Sequence, residues 1–306
     1  MIPGGRIQSA IELVDEFEKS ARQGGLPADK IVQNYFRARR YAGSGDRKTI
    51  SGLFYSILRN RLQLLQWALE SQDPINGRIL VITYLAKNAR ELLNHFTGDQ
   101  YCPKPLTDQE KAYLLMILKE PKSEKSFIQL NCPEWLMNKF IEQFGEQEAI
   151  ALVQTLNDRA PLDVRINQAR TERETMISVL DEQHIKTTAM THTPYGLRFE
   201  KQTSLANNKQ YNNGLIEIQD QAAQIASLLV KAEPGMEVMD LCAGGGGKTL
   251  AIAADMRNKG FIHAFDISGA KLKDITKRAL RGKVKNITIQ DQMNFIVFKL
   301  TFRIVV

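Results

Sequence analysis

The sequence predicts a multidomain chain: an all-α N-terminal domain, a small α+β unit in the middle, and then the opening of a doubly wound parallel α/β sheet. Three observations predict it. Over about the first 120 residues, apolar side chains recur at intervals of three and four, the helical period. Between 133 and 209 helical stretches mix with short strand-like runs. From 214 onward strands and helices alternate, and a run of glycines stands where the first of those strands hands over to a helix.

Taken in order, Ile7, Ala10, Ile11, Val14, Phe17 and Ala21 mark a first helix that Gly24-Gly25 ends. A second begins near Pro27 and Asp29 and carries Ile31, Val32, Tyr35 and Phe36 beside Arg37, Arg39 and Arg40. Residues 42–46 (AGSGD) read as a turn. Helical spacing returns over 50–69, is stopped by Asp73-Pro74, and resumes over 79–93. Thr107-Asp108-Gln109-Glu110 has the pattern of a capping box, in which Thr and Glu side chains bond each other's amides, heading a helix toward Leu118. Residues 121–125 read as a linker. The middle unit predicts helices over 135–144, 147–156 and 171–180 and strands over 162–166 and 195–199. The last part predicts helix 219–230, strand 236–241, the glycine turn, helix 248–257, strand 261–265, a basic helix 269–281 and a strand 287–289. The expected boundaries are 1–125, 126–210 and 211–306.

Composition narrows the function classes. Hydrophobic content of 43% and charged content of 25% are those of a globular protein. No apolar run reaches the roughly 18 residues needed to cross a bilayer, and the first residues lack the apolar core of a signal peptide, so the cytoplasm is the expected compartment. Cys102, Cys132 and Cys242 are far apart and form no CxxC pair, and the four histidines show no ligand spacing, so no metal is expected. Net charge is +7 and unevenly spread. Residues 37–61 hold seven basic side chains against Asp46 alone, and residues 269–285 hold seven against Asp274 alone. Concentrated positive charge fits a polyanionic partner, because each neutralised phosphate releases counterions.

The sharpest signal is Asp240-Leu241-Cys242-Ala243-Gly244-Gly245-Gly246-Gly247-Lys248-Thr249. Glycines there permit positive φ and let the backbone lie against a ligand, and the helix N-terminus behind them favours an anionic group. A P-loop requires glycine where Cys242 stands, and the dinucleotide pattern GxGxxG fails at Thr249 and Leu250. S-adenosylmethionine asks for an acid ending the first strand, a tight glycine turn, and an acid ending the second strand for the ribose hydroxyls. Asp240, the turn and Asp266 meet these conditions, with Asp266 nineteen residues beyond Gly247.

At this motif the sequence resembles the Sun/Fmu RNA cytosine-5 methyltransferases, whose first cofactor motif reads Asp-x-Cys-Ala-Ala-Pro-Gly-Gly-Lys-Thr; here only the Ala-Pro pair is replaced, by Gly244-Gly245. The resemblance extends through Gly214, Gln219-Asp220, Arg165-Ile166-Asn167, Asn157 and Pro133-Glu134-Trp135-Leu136. The N-terminal helices, with Tyr41, Asp46-Arg47 and Leu58-Arg59, are similar to the antitermination-factor-like RNA-binding domain of bacterial members. The resemblance implies a Rossmann-like methyltransferase domain, S-adenosyl-L-methionine as cofactor, and ribosomal RNA of the 16S type as partner of a monomeric chain. It implies that Cys242, Ala243, Gly244, Gly245, Gly246, Gly247 and Lys248 wrap the methionine part of the cofactor, that Asp266 holds the ribose and that Asp291 reaches the adenine edge. Cys242 is expected to be a loop-packing residue and not a nucleophile.

The family's nucleophile and its second cysteine lie in Thr-Cys and Asp-Ala-Pro-Cys-Ser motifs beyond the third strand, and no cysteine follows Cys242 here. The chain thus resembles the front two-thirds of such an enzyme, with an incomplete catalytic domain, and is expected to transfer no methyl group alone. Losing the proline is expected to loosen the turn. The apolar segment 295–306, nine apolar residues in twelve, is expected to form one last strand with an open edge and to lower solubility. The alternative function is an RNA-binding module without catalysis.

Overall fold

The computed structural model describes residues 1–69, 71, 74–119, 126–290 and 303–305. It divides into two compact units, Met1–Arg159 and Ala160–Val306. Among the described residues no helix is long and apolar enough to cross a membrane.

The first unit is helical. α1 (Pro3–Arg22) starts on a proline, tolerated where the first amides lack partners anyway, and α2 (Ala28–Ala38) and α3 (Ser44–Arg59) follow. After α4 (Arg61–Ala68) comes α5 (Gly77–Asn88), whose N-cap Asn76 accepts from the Ile79 amide at 3.0 Å. The α5 sequence is apolar nearly all round, and Ile79, Leu80, Val81, Ile82 and Leu85 are all buried. Such a helix belongs at the centre of a bundle, and it shares one core with Leu13, Phe54, Ile57 and Ile117. A 3-10 turn (Arg90–His95) follows α5, and α6 (Asp108–Lys119) comes next. The capping box forms: the Glu110 amide donates to Thr107 Oγ1 at 3.1 Å and the Thr107 amide to Glu110 Oε2 at 2.8 Å. α7 (Ser126–Gln129), α8 (Glu134–Phe144) and α9 (Glu146–Asn157) close over a small core of Cys132, Met137, Ala149 and Val153.

Two expectations change here. The helix expected over 50–69 is two helices, broken at Asn60 (φ −97°, ψ 9°), whose side chain turns back to donate to the Ser56 carbonyl at 2.8 Å. The turn expected at 42–46 is shorter, because Gly43 already serves as the N-cap of α3. The expected linker 121–125 lies outside the described residues.

The second unit holds two four-stranded sheets. In the first, β1 (Leu162–Ile166) is central, antiparallel to β3 (Gly196–Phe199) and to β4 (Ile216–Ile218), with β2 (Thr187–Ala189) outside β3. α10 (Arg173–Glu182) supplies Met176 and Leu180 to its core, and α11 (Lys209–Asn212) precedes β4. In the second sheet β5 (Glu237–Asp240), β6 (Phe261–Ala264), β7 (Ile287–Ile289) and β8 (Arg303–Val305) run parallel in the order β7-β6-β5-β8. α12 (Gln221–Leu229) leads into it, and α13 (Gly247–Asp255) and α14 (Gly269–Gly282) join its strands. Strand order reverses at β5, and in open α/β sheets ligands bind beyond the carboxyl ends of the strands at such a switch point.

The division at 159/160 puts β1 to β4 in one compact unit with the parallel sheet. Side chains explain why: Asn167 donates to the Gly282 carbonyl at 3.1 Å, Gln168 to Asp255 at 2.6 Å, and Glu217 on β4 takes two arginines of α14. Of the apolar segment 295–306, residues 295–302 and 306 lie outside the described residues, and 303–305 pair with β5.

Candidate functional site

β5 delivers Asp240, fully buried, to the edge of the glycine turn. Thr249, also fully buried in the first turn of α13, donates to Asp240 Oδ2 at 2.7 Å, tying the two ends of the turn together. Asp240 Oδ1 has no hydrogen-bond partner among the described residues. A buried carboxylate oxygen without a donor is costly.

The turn leaves the sheet in two steps. The Phe265 amide donates to the Asp240 carbonyl and the Ala243 amide to the Phe265 carbonyl, at 2.8 and 2.9 Å, which prolongs the strand pairing. Then the Gly246 amide closes on the Ala243 carbonyl at 2.8 Å. Gly244 (φ +53°) and Gly246 (φ +83°) are left-handed, and a Cβ on Gly246 would stand 2.9 Å from the Ile275 side chain. Glycine is required at 246 on both counts. The amides opening α13 behind the turn form the positive end of a helix dipole.

Asp266 follows β6 and is buried. Its Oδ1 accepts from the Ser268 amide and its Oδ2 from the Gly244 amide, both at 2.8 Å. These bonds, the Ser268 one first, hold its carboxyl below the usual carboxylate range. Asp266 thus braces the turn and stays ionised, and each oxygen keeps a second lone pair. Beside it Ile267 stands 87% exposed, an apolar surface next to the acid.

A second brace comes from the antiparallel sheet. Glu217, buried on β4, accepts from Arg278 Nε and a terminal nitrogen at 3.1 and 3.0 Å and from Arg281 at 2.6 Å, and Arg278 reaches on to the Gly245 carbonyl at 2.6 Å. Behind it lies Arg165, 4% exposed, donating to Gln219 at 2.8 Å. Burial pushes the Arg165 guanidinium down to about 10, although Glu217 and Asp255 nearby favour its charge. Asn167 donates to both the Gly214 and the Gly282 carbonyls at 3.1 Å. Gln219 itself lies against the turn, within 3.9 Å of the space a Cβ on Gly247 would take.

The structure therefore brings Ala243 to Lys248, Asp240 and Asp266 together, and Asp291 lies outside the described residues. Cys242 is corrected: expected to pack within the loop, it is exposed, because Ala243, next in the chain, supplies the buried side chain at this turn. Cys132 is buried, which pushes its thiol up, and Cys102 is half-buried. Among the described residues no group of three or more His, Cys, Asp or Glu is placed to hold a metal ion. The basic run 269–285 is also split, since Arg278 and Arg281 are engaged by Glu217 while Lys271, Lys273, Lys277, Lys283 and Lys285 are exposed. Composition missed Glu217 and Arg278. The signal was present in α14: Leu272 and Ile275 are buried, and three further on puts Arg278 on the same face.

Residues 132–206 match the family described as methyltransferase RsmF/B-like, ferredoxin-like domain, and residues 227–296 match 16S rRNA methyltransferase RsmB/F. Over 206 residues the chain is 31% identical to a Synechocystis sp. protein named "Probable ribosomal RNA small subunit methyltransferase B", an alignment covering 67% of this chain and 44% of that one. Over 149 residues it is 29% identical to "Ribosomal RNA small subunit methyltransferase B" of Pasteurella multocida, covering 49% and 32%. The chain thus spans less than half the length of these curated relatives. Its fold is similar to the crystal structure of the protein PH0851, with a TM-score of 0.71 at 21% identity over 95% of this chain and 69% of that one. A methyltransferase homolog protein from Pyrococcus horikoshii gives 0.50 at 23% identity over 54% of each chain.

Proposed function

We propose, from the premise that this chain belongs to the Sun/Fmu family of ribosomal RNA methyltransferases, that its glycine turn binds S-adenosyl-L-methionine for methylation of cytosine carbon 5 in 16S-type RNA. The observation that carries the reading is the turn itself: Asp240 beneath it with one unpartnered oxygen, two left-handed glycines exposing backbone, and an ionised Asp266 bonded to the Gly244 amide. These residues fit the cofactor. The backbone of Cys242, Ala243, Gly244, Gly245, Gly246, Gly247 and Lys248 faces its methionine part, the remaining lone pairs of Asp266 accept from the ribose hydroxyls, and Ile267 offers an apolar face to the adenine. Asp291 is assigned to the adenine edge on the family pattern alone. When bound, the cofactor supplies an electrophilic methyl group.

Carbon 5 of cytosine becomes nucleophilic only after a thiolate adds to carbon 6. Cys132 is buried in the first unit and its thiol is pushed up, Cys102 is packed against the start of α1, and Cys242 belongs to the cofactor turn. The proposal is therefore that these 306 residues bind cofactor and RNA without transferring the methyl group. In it residues 1–125 hold RNA, 126–210 connect, and 211–306 hold cofactor. The experiment is incubation of the chain with radiolabelled S-adenosylmethionine and 16S ribosomal RNA: labelled cofactor retained on the protein and none in RNA is expected. Label in RNA would contradict the absence of transfer. RNA retained without cofactor would favour the alternative, an RNA-binding module without catalysis.

A further inference from the structure

We propose that the first unit carries a cleft that takes a single unstacked nucleobase of single-stranded RNA, stacked against Tyr41 and Tyr101. The inference rests on RNA being the substrate class of the proposed function, and it names a site on the unit that does not hold the cofactor turn. The cleft lies between the start of α1, the end of α2 and the loop after the 3-10 turn. It has a volume of about 610 Å³ and is lined by Gly5, Gln8, Glu12, Tyr35, Tyr41 and Tyr101, among others. Small-ligand sites run from roughly 300 to 1,000 Å³.

Its chemistry is that of a base pocket. Tyr41 and Tyr101 are each 72% exposed, and aromatic rings held out at a cleft are stacking platforms for bases of any sequence. Tyr35 forms a fixed wall, its hydroxyl donating to Glu12 Oε2 at 2.7 Å while the Arg39 guanidinium covers its ring at 3.7 Å and donates to the same oxygen at 3.0 Å. Glu12 Oε1 receives only a long 3.4 Å contact from the Gln8 amide. That leaves a carboxylate acceptor and an amide donor at the base of the cleft, the pair that reads the edge of a base.

Backbone strain points to the same place. Tyr101 has φ +71°, a conformation that costs a bulky residue energy and persists where the surroundings impose it. The surroundings do: the Cys102 amide bonds to Asp99 at 2.8 Å and the Gly98 amide to Pro103 at 2.9 Å. Cys102 seats its sulfur against Gly4, where a Cβ would come within 2.4 Å of it. Charge supplies the rest. Arg37 and Arg40, exposed on the other side of the end of α2, line a second concavity with Arg47, and no ion pair among the described residues takes Arg37, Arg40 or Lys48. A base in the first cleft with its flanking phosphates on these arginines matches single-stranded RNA.

The test is fluorescence anisotropy on the full chain with a labelled single-stranded RNA oligonucleotide and the same backbone made abasic. Gly5→Leu fills the floor of the cleft, where a Cβ meets neighbours only at 3.5 Å and beyond, so the helix is kept. Tyr101→Gly removes a ring while relieving the backbone. The wild-type chain is expected to prefer the base-bearing RNA by about tenfold, the size of one stacked base, and either variant to lose that preference while binding abasic RNA unchanged. Tyr41→Phe keeps it. Arg37→Ala with Arg40→Ala should weaken both RNAs equally. Full preference in Gly5→Leu and Tyr101→Gly would overturn the inference and leave the cleft to a protein segment, with RNA binding itself intact. No binding of either RNA by the wild-type chain would overturn it together with the RNA reading.

Discussion

At the scale of single residues, the turn trades one kind of restraint for another. Proline fixes φ where the family carries it, and here Gly245 stands in its place with its carbonyl bound by Arg278, which Glu217 holds in turn. The expectation of a loosened turn therefore meets a side-chain strut that sequence alone did not reveal. Arg278→Met should lower cofactor affinity by about tenfold or more, the worth of one charge-assisted bond, and should also lower the melting temperature, because it removes one of the two arginines paired with buried Glu217, as read by calorimetry and thermal melting. Arg278→Lys should not restore it, since an ammonium lacks the planar fork that spans two acceptors. Glu217→Gln leaves two arginines facing a neutral partner in a largely buried setting, and should destabilise the second unit by about 2 to 3 kcal/mol in urea denaturation. That Asp240, the glycines and Asp266 meet at one turn was legible in their spacing. The braces were not, because Arg278 sits in a lysine-rich run and reads as one more surface cation.

At the scale of elements, periodicity located nearly every helix, and the failures have local causes. Asn60 divides one apolar run by bonding back to Ser56, and β4 is only three residues long, so its Ile-Glu-Ile alternation is too short to stand out, and the glutamate at its centre is buried. The capping box of α6 was readable in Thr107 and Glu110 and does more than cap. Burial pushes the Glu110 carboxyl up, but Arg78 at 2.6 Å and the Thr107 amide outweigh it, and the group ends below its usual range. A depressed carboxylate contributes stability that is fully present above its unfolded value, about 4.3, and is lost as pH falls through the lower folded value. Circular dichroism of urea unfolding should show the helical unit weakening below about pH 4.3, and Arg78→Met should flatten that acid limb.

At the scale of the whole molecule, charge and topology divide the work. The order β7-β6-β5-β8 puts the glycine turn at the point where the parallel sheet reverses; the alternation of strands and helices predicted a parallel sheet but not its order. What the sequence did not show is the tie between the two sheets, since it consists of polar contacts such as Asn167 to Gly282 that leave no periodic trace. Within the two basic runs the exposed cations are Arg37, Arg40 and Lys48 in the first unit and five lysines around α14 in the second. RNA affinity should fall steeply with salt, and removing Arg37 and Arg40 together should reduce the slope of log affinity against log salt by about 1.4 for a single strand.

Titration calorimetry with S-adenosylhomocysteine, the demethylated product form of the cofactor, tests the central claim most directly. The wild-type chain should bind it saturably, and Asp266→Asn should weaken binding by about tenfold or more, as loss of charge-assisted bonds to a ribose requires. Equal affinity in both proteins, or no binding by the wild-type chain, would contradict the assignment of the glycine turn as a cofactor site.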